Sequence, residues 1–115
     1  MNEIFVKSIY ETVVKESLQD YKGLYETTNI PPNTINCWKQ AIGFYNDLNN
    51  ENKEILMRIV EKTMIDTVSH MLGIIDGSST LNDCSLEPKL LLDSIDTEGE
   101  LQDLFLQYIE SHFRL

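Results

Sequence analysis

The chain is poor in the residues from which special sites are built. Two cysteines, Cys37 and Cys84, stand in 115 residues, and their spacing supplies neither a disulfide framework nor the paired ligands of a zinc site. They read as two free, mostly buried thiols in a reducing compartment. Five glycines are scattered with no cluster, so no loop lets successive backbone N–H groups close on a phosphate. A Gly-x-Ser-x-Gly elbow and a His-Glu-x-x-His pair are both absent. Runs of about 18 apolar residues are also absent, which excludes a membrane-spanning helix. The first residues lack the basic-then-apolar order of a signal peptide. A cytoplasmic location is the expectation. Ala41 is the only alanine while Asn and Ile abound, a usage that AT-rich coding produces and that points to a low-GC bacterium.

Basic residues are scarce too: 9 Lys and Arg against 19 Asp and Glu, for a formal net charge of −10. Nucleic-acid backbones and anionic lipid both require Lys and Arg, so neither is an expected partner. What the chain does have is 42% hydrophobic residues, enough for one real core at a length typical of a single domain. No repeat, linker or low-complexity tract divides it, so residues 1–115 read as a single helical domain.

Apolar residues recur at three- and four-residue steps along most of the chain. From about Asn2 to Thr27, Phe5, Ile9, Val13 and Leu18 mark the stripe of a long first helix, flanked by Val6, Val14, Tyr21, Leu24 and Tyr25. Gly23 is its weak point, and Ile30-Pro31-Pro32 bars its continuation. Asn33 or Thr34 is the expected cap of a second helix running to about Leu48, with Trp38 on its apolar stripe. The third, about Glu51 to Ile75, is apolar over more than half its circumference, which places it centrally with neighbours on several sides. Asn49 and Asn50 punctuate the join, since Asn suits both the end of the second helix and the start of the third, and Gly77 suits the third's end. Residues 86–96 read either as a short helix capped by Ser85 or as a short buried strand, which periodicity does not separate at this length. Thr97 is the expected cap of a last helix whose stripe is Leu101, Leu104, Phe105, Tyr108, Ile109 and His112 or Phe113. The expected fold class is all-α (mainly α): an antiparallel bundle of four to five helices joined by short connections, with residues 86–96 a short strand or irregular.

Two features carry functional weight. Asp66 and His70 lie four apart on the third helix, so they share a face. A carboxylate accepting from an imidazole fixes its tautomer, which would suit a general base or two metal ligands of a small helical-bundle enzyme. A boundary hydrogen bond on the helix surface is the plainer use. The second feature is the placement of charge. Residues 1–65 hold nine acids and seven bases, net −2, and residues 66–115 hold ten acids and two bases, net −8. Asp76, Asp83, Glu87, Asp93, Asp96, Glu98, Glu100 and Asp103 crowd into one stretch around a single base, Lys89. Such a field accelerates association with a basic partner.

The expectation is therefore a non-enzymatic interaction or inhibitor module. It would bind a basic protein through Asp83, Glu87, Asp93, Asp96, Glu98, Glu100 and Asp103, with an exposed aromatic such as Tyr108 or Tyr45 as anchor. No cofactor is expected. In size, acidity and helical content the chain resembles immunity proteins and antitoxins that neutralise nucleases. The resemblance is one of bulk properties and carries over no residues. The wide apolar arc of the third helix also permits a homodimer.

Overall fold

The computed structural model describes residues 1–27 and 29–112. Its longest element, α4 (Asn50–Asp76), has ends set by local chemistry. Asn49 precedes it in an extended conformation, and its side-chain oxygen accepts the Asn52 N–H at 2.8 Å, as an N-cap does. Gly77 ends it at φ 84°, a left-handed conformation that glycine takes without penalty. The Gly77 N–H reaches the Ile74 carbonyl and the Ser78 N–H the Gly73 carbonyl, the paired closure of a Schellman motif.

The first three elements form one continuous rod: α1 (Asn2–Ile9), a π-helical stretch (Tyr10–Glu16) and α2 (Ser17–Tyr25). Gly23 does not interrupt it, and the rod stops before Pro31 is reached. The π turn changes the phase of the apolar stripe. Val6, Tyr10 and Val14 are the buried positions, not the Phe5–Ile9–Val13 row expected from a 3.6-residue period, and Val13 is 47% exposed. Over four residues a regular α-helix drifts forward by about 40° and a π turn falls back by a similar amount, so the two in succession keep Val6, Tyr10 and Val14 on one side of the rod. The rod accordingly packs α1 on α5, the π stretch on α4, and α2 on both α3 and α4.

Helix α3 (Asn36–Asp47) begins later than expected. Pro31 to Thr34 closes a turn, and Ile35 takes the N-cap position without a side-chain cap. Asn46 ties α3 to the end of the rod, because its amide reaches the Tyr25, Thr27 and Ile42 carbonyls at 2.9–3.1 Å. Both thiols are free, but Cys37 is exposed and Cys84 half-buried. The expectation of two mostly buried thiols is corrected at Cys37, which falls on the outward face of α3.

Residues 78–100 form a strap between α4 and α5. Within it β1 (Leu91–Leu92) pairs antiparallel with β2 (Ile95–Asp96), with Leu91 opposite Asp96 and Leu92 opposite Ile95. The helical alternative for 86–96 does not form. Asp93 and Ser94 both take positive φ, 49° and 69°, the pattern of a tight hairpin turn. Thr97 closes the hairpin base, its N–H and hydroxyl both reaching the Leu90 carbonyl. It is thereby lost as the expected cap of the last helix.

That helix, α5 (Leu101–His112), starts after a turn with positive φ at Glu98 and Gly99. Its cap comes through space from the last residue of α4. The two Asp76 carboxylate oxygens accept the Leu101 and Gln102 N–H groups at 3.2 and 2.7 Å. The predicted stripe of α5 is buried at Leu101, Phe105 and Ile109 and half-buried at Leu104 and Tyr108, while His112 is exposed and Phe113 lies outside the described residues.

The largest core gathers Val6, Tyr10, Val14, Ile65, Leu72, Leu101, Phe105 and Ile109. Ile42, Tyr45 and Met57 are buried apart from it. The fold is mainly α, as expected, but extended. Its radius of gyration is 17.5 Å, against about 13 Å for a compact chain of this length. The broad apolar arc of α4 is covered on one side only: Ile55, Ile59 and Met71 are 44%, 57% and 56% exposed. Among the described residues no helix is long and apolar enough to cross a membrane.

Candidate functional site

The acidic residues of the second half do converge on one structural feature, the strap and the start of α5. Asp83, Glu87, Asp93, Glu98 and Asp103 are exposed. Asp83, Asp93 and Glu98 also have positive φ, 57°, 49° and 58°, which costs non-glycine residues of order 1 kcal/mol each. Asp96 and Glu100 are partly committed within the chain. One Asp96 oxygen accepts the Glu98 N–H at 2.8 Å and the other lies 3.2 Å from Lys89 Nζ. The backbone N–H, and then Lys89, hold this carboxyl below its usual range. Glu100 accepts from the Asn2 amide at 3.3 Å, which also ties the strap to the start of α1.

The aromatic anchors expected beside these acids are elsewhere. Tyr108 is half-buried, its ring 5.8 Å from that of Tyr10 and 4.3 Å from that of His112. Tyr45 is 2% exposed. Its hydroxyl donates to Glu26 at 3.3 Å and Lys53 Nζ lies 5.2 Å over its ring. Burial, then the Glu26 charge, push its phenol above the ordinary range.

Aliphatic side chains occupy the place foreseen for an aromatic. Leu86, Leu91 and Ile95 stand 82%, 50% and 57% exposed among the acids. By register, Ile95 and half-buried Leu92 share one face of the ribbon, and Leu91 shares the other with Asp96. A cleft of about 480 Å³ adjoins Leu86 and is lined also by Ile74, Leu81, Cys84 and Pro88 among others. Sequence reasoning missed these exposed side chains because Leu90-Leu91-Leu92 looks like a buried run. The Asp93-Ser94 pair was the available hairpin signal.

Asp66 and His70 do share one exposed row of α4. The Asp66 carboxylate, however, is taken by Lys62, whose Nζ lies 2.6 and 2.8 Å from its two oxygens. Among the described residues no group of three or more His, Cys, Asp or Glu side chains is placed to hold a metal ion.

A second cleft, of about 630 Å³, opens between α2 and α4 at the far end of the molecule. Leu18 and Met57 line it together with Lys22, Glu26, Arg58 and Glu61. Its charges balance, in contrast to the strap.

No protein-family model, curated protein or solved structure matches this chain.

Proposed function

We propose that the protein is a small binding module that captures a basic protein partner on the strap between α4 and α5. The observation that supports this most is the exposure of Leu86, Leu91 and Ile95 in a segment that also carries exposed acids along its length. Interfaces gain affinity from desolvated apolar anchors and gain speed and selectivity from charge at the rim. A purely solubilising acidic surface has no use for three protruding aliphatic groups. The strained backbone at Asp83, Asp93, Ser94 and Glu98 presents them in a fixed arrangement, which lowers the ordering cost of binding. In bulk character such a module is immunity- or antitoxin-like.

Two sets of substitutions separate anchor from rim. Reversal of Asp83, Glu87, Asp93 and Asp103 to lysine leaves out Asp96 and Glu100, which bond within the fold. After a basic partner is recovered from native cells, these reversals should slow its association and flatten the salt dependence. Leu86→Ser should speed dissociation by roughly tenfold, the scale of one truncated apolar anchor. Recovery of no basic partner, or unchanged kinetics in both sets, overturns the proposal.

A further inference from the structure

The residues of α4 sort into four rows at a spacing of four. Met57, Ile65, Ser69 and Gly73 are buried, with Glu61 half-buried among them. Leu56, Val60, Met64 and Val68 are half-buried. Ile55, Ile59, Thr63, Thr67 and Met71 are exposed, and beyond them lies the charged row Arg58, Lys62, Asp66 and His70. The exposed row carries no charge over about 24 Å of helix. Its two threonines are apolar in effect. Thr63 and Thr67 turn their hydroxyls back to the Ile59 and Thr63 carbonyls, each at 2.8 Å. Their hydrogen-bonding demand is met within the helix, and their methyl groups are free for apolar contact.

We infer that this row is the contact between two copies of this chain, crossing antiparallel at Thr63. Rows at a spacing of four are the ridges that interdigitate in the commonest class of helix packing. The small residues, Thr63 and Thr67, lie at the middle of the row, where two helices approach most closely, and Ile55, Ile59 and Met71 lie toward its ends. A two-fold axis at Thr63 brings Ile59 of one copy near Thr67 of the other, and Ile55 near Met71.

The charged row selects both the occupant and the direction. Relative to Thr63, Asp66 lies about 4.5 Å along the axis one way, and Lys62 and Arg58 lie about 1.5 and 7.5 Å the other way. Antiparallel crossing places each Asp66, paired with Lys62 of its own helix, between Lys62 and Arg58 of the second copy. The two Lys62 side chains also come within about 3 Å of each other along the axis, so four opposite-charge neighbours stand against one like pair. Parallel crossing, about a two-fold axis along the helices, carries the two charged rows to opposite sides of the contact, so they do not meet. The pairing of opposite charges is thus a property of this row meeting itself about a two-fold axis. The strap lies outside this contact, so the inference does not rest on the proposed function.

Sedimentation of the full chain over a range of concentrations tests it. The native chain should reach twice the chain mass. Thr63→Arg, at an exposed position, should return it to a single chain with its helix content unchanged. Asp66→Lys should weaken association roughly tenfold, since two symmetric sets of pairs are lost, and inversion of the whole row, Arg58→Asp and Lys62→Asp together with Asp66→Lys, should restore it. A Thr63→Cys variant in a Cys37→Ser, Cys84→Ser background should cross-link to itself on oxidation, which reads the contact even if Thr63→Arg fails to fold. A native chain that stays single at all concentrations overturns the inference, as does a dimer indifferent to Thr63→Arg or a Thr63→Cys chain that does not cross-link.

Discussion

At one end of the molecule α1, the C-terminal half of α4 and α5 close on Val14, Leu101 and Phe105, all 0% exposed. At the other, α2 and α3 lean together through a chain of rings. Tyr21 and Trp38 stack at 6.0 Å, Tyr25 lies 6.3 Å from Trp38, and Tyr45 lies 5.7 Å from Tyr25. Trp38 is only half-buried and Tyr21 is 37% exposed. The first end is held by removal of aliphatic and aromatic surface from water, which scales with area. The second relies on ring contacts worth about 0.5–1.5 kcal/mol each beyond burial, and on the Asn46 amide that bridges two helices. The difference teaches where stability resides. The end that carries the strap is the well-packed one, so the binding surface proposed above would rest on the firmer half.

The largest effect should separate the two ends directly. Phe105→Ala is expected to cost about 3–5 kcal/mol, as for a fully buried ring, and Trp38→Ala about 1–2 kcal/mol. Denaturant midpoints measure both, and equal costs would break the distinction. Native-state hydrogen exchange should agree, with α5 amides opening near the global limit and α3 amides well below it.

A smaller effect is pH-dependent. Burial first, then the charge of Glu61, push the Tyr10 phenol to about 12 from its ordinary 10. The folded chain therefore retains this proton where the unfolded chain loses it. The associated stability is complete below about pH 10 and is lost as pH rises toward 12. Its full size is about 2 kcal/mol, and Tyr10→Phe should remove that part of the alkaline loss. A variant that melts in alkali as the native chain does would show that another group dominates.

The smallest effect concerns the join between α4 and α5. Asp76→Ala should cost about 1–2 kcal/mol, because two helix N–H groups lose their acceptor. Asp76→Asn retains one acceptor oxygen and should recover part of this. A thermal melt of the two variants gives the order, and an inert Asp76→Ala would remove this residue as the link between the strap's two ends.

Legibility in the sequence followed the range of the interaction. Asn49 and Gly77 were readable because a cap and a left-handed stop depend on neighbours a few residues away. The π stretch was not, since no residue type announces it, and so the stripe was read through Ile9 and Val13 where Tyr10 and Val14 are buried. Thr97 was a correct residue type for a cap with a closer carbonyl to bind. Asp76 capping α5 was beyond any local reading, because donor and acceptor are 25 and 26 residues apart. The acids of the strap were legible as charge, whereas the outward turn of Leu91 and Ile95 depends on a hairpin register fixed by Asp93 and Ser94.

The Asp76 cap has one more consequence. Because the Asp76 carboxylate joins the last turn of α4 to the first of α5, residues 77–100 form a loop whose two ends are held together, with Leu90 and Thr97 packed inward along it. The entropy of closing such a loop changes slowly with length, by about 0.6 kcal/mol for each doubling. The part of the segment away from Leu90 and Thr97 can then be shortened, lengthened or exchanged for one of different composition while the helices beneath stay docked. The scaffold is in this respect a holder for a replaceable loop tip, and under the proposed function changes of binding preference can accumulate there at little cost to the fold.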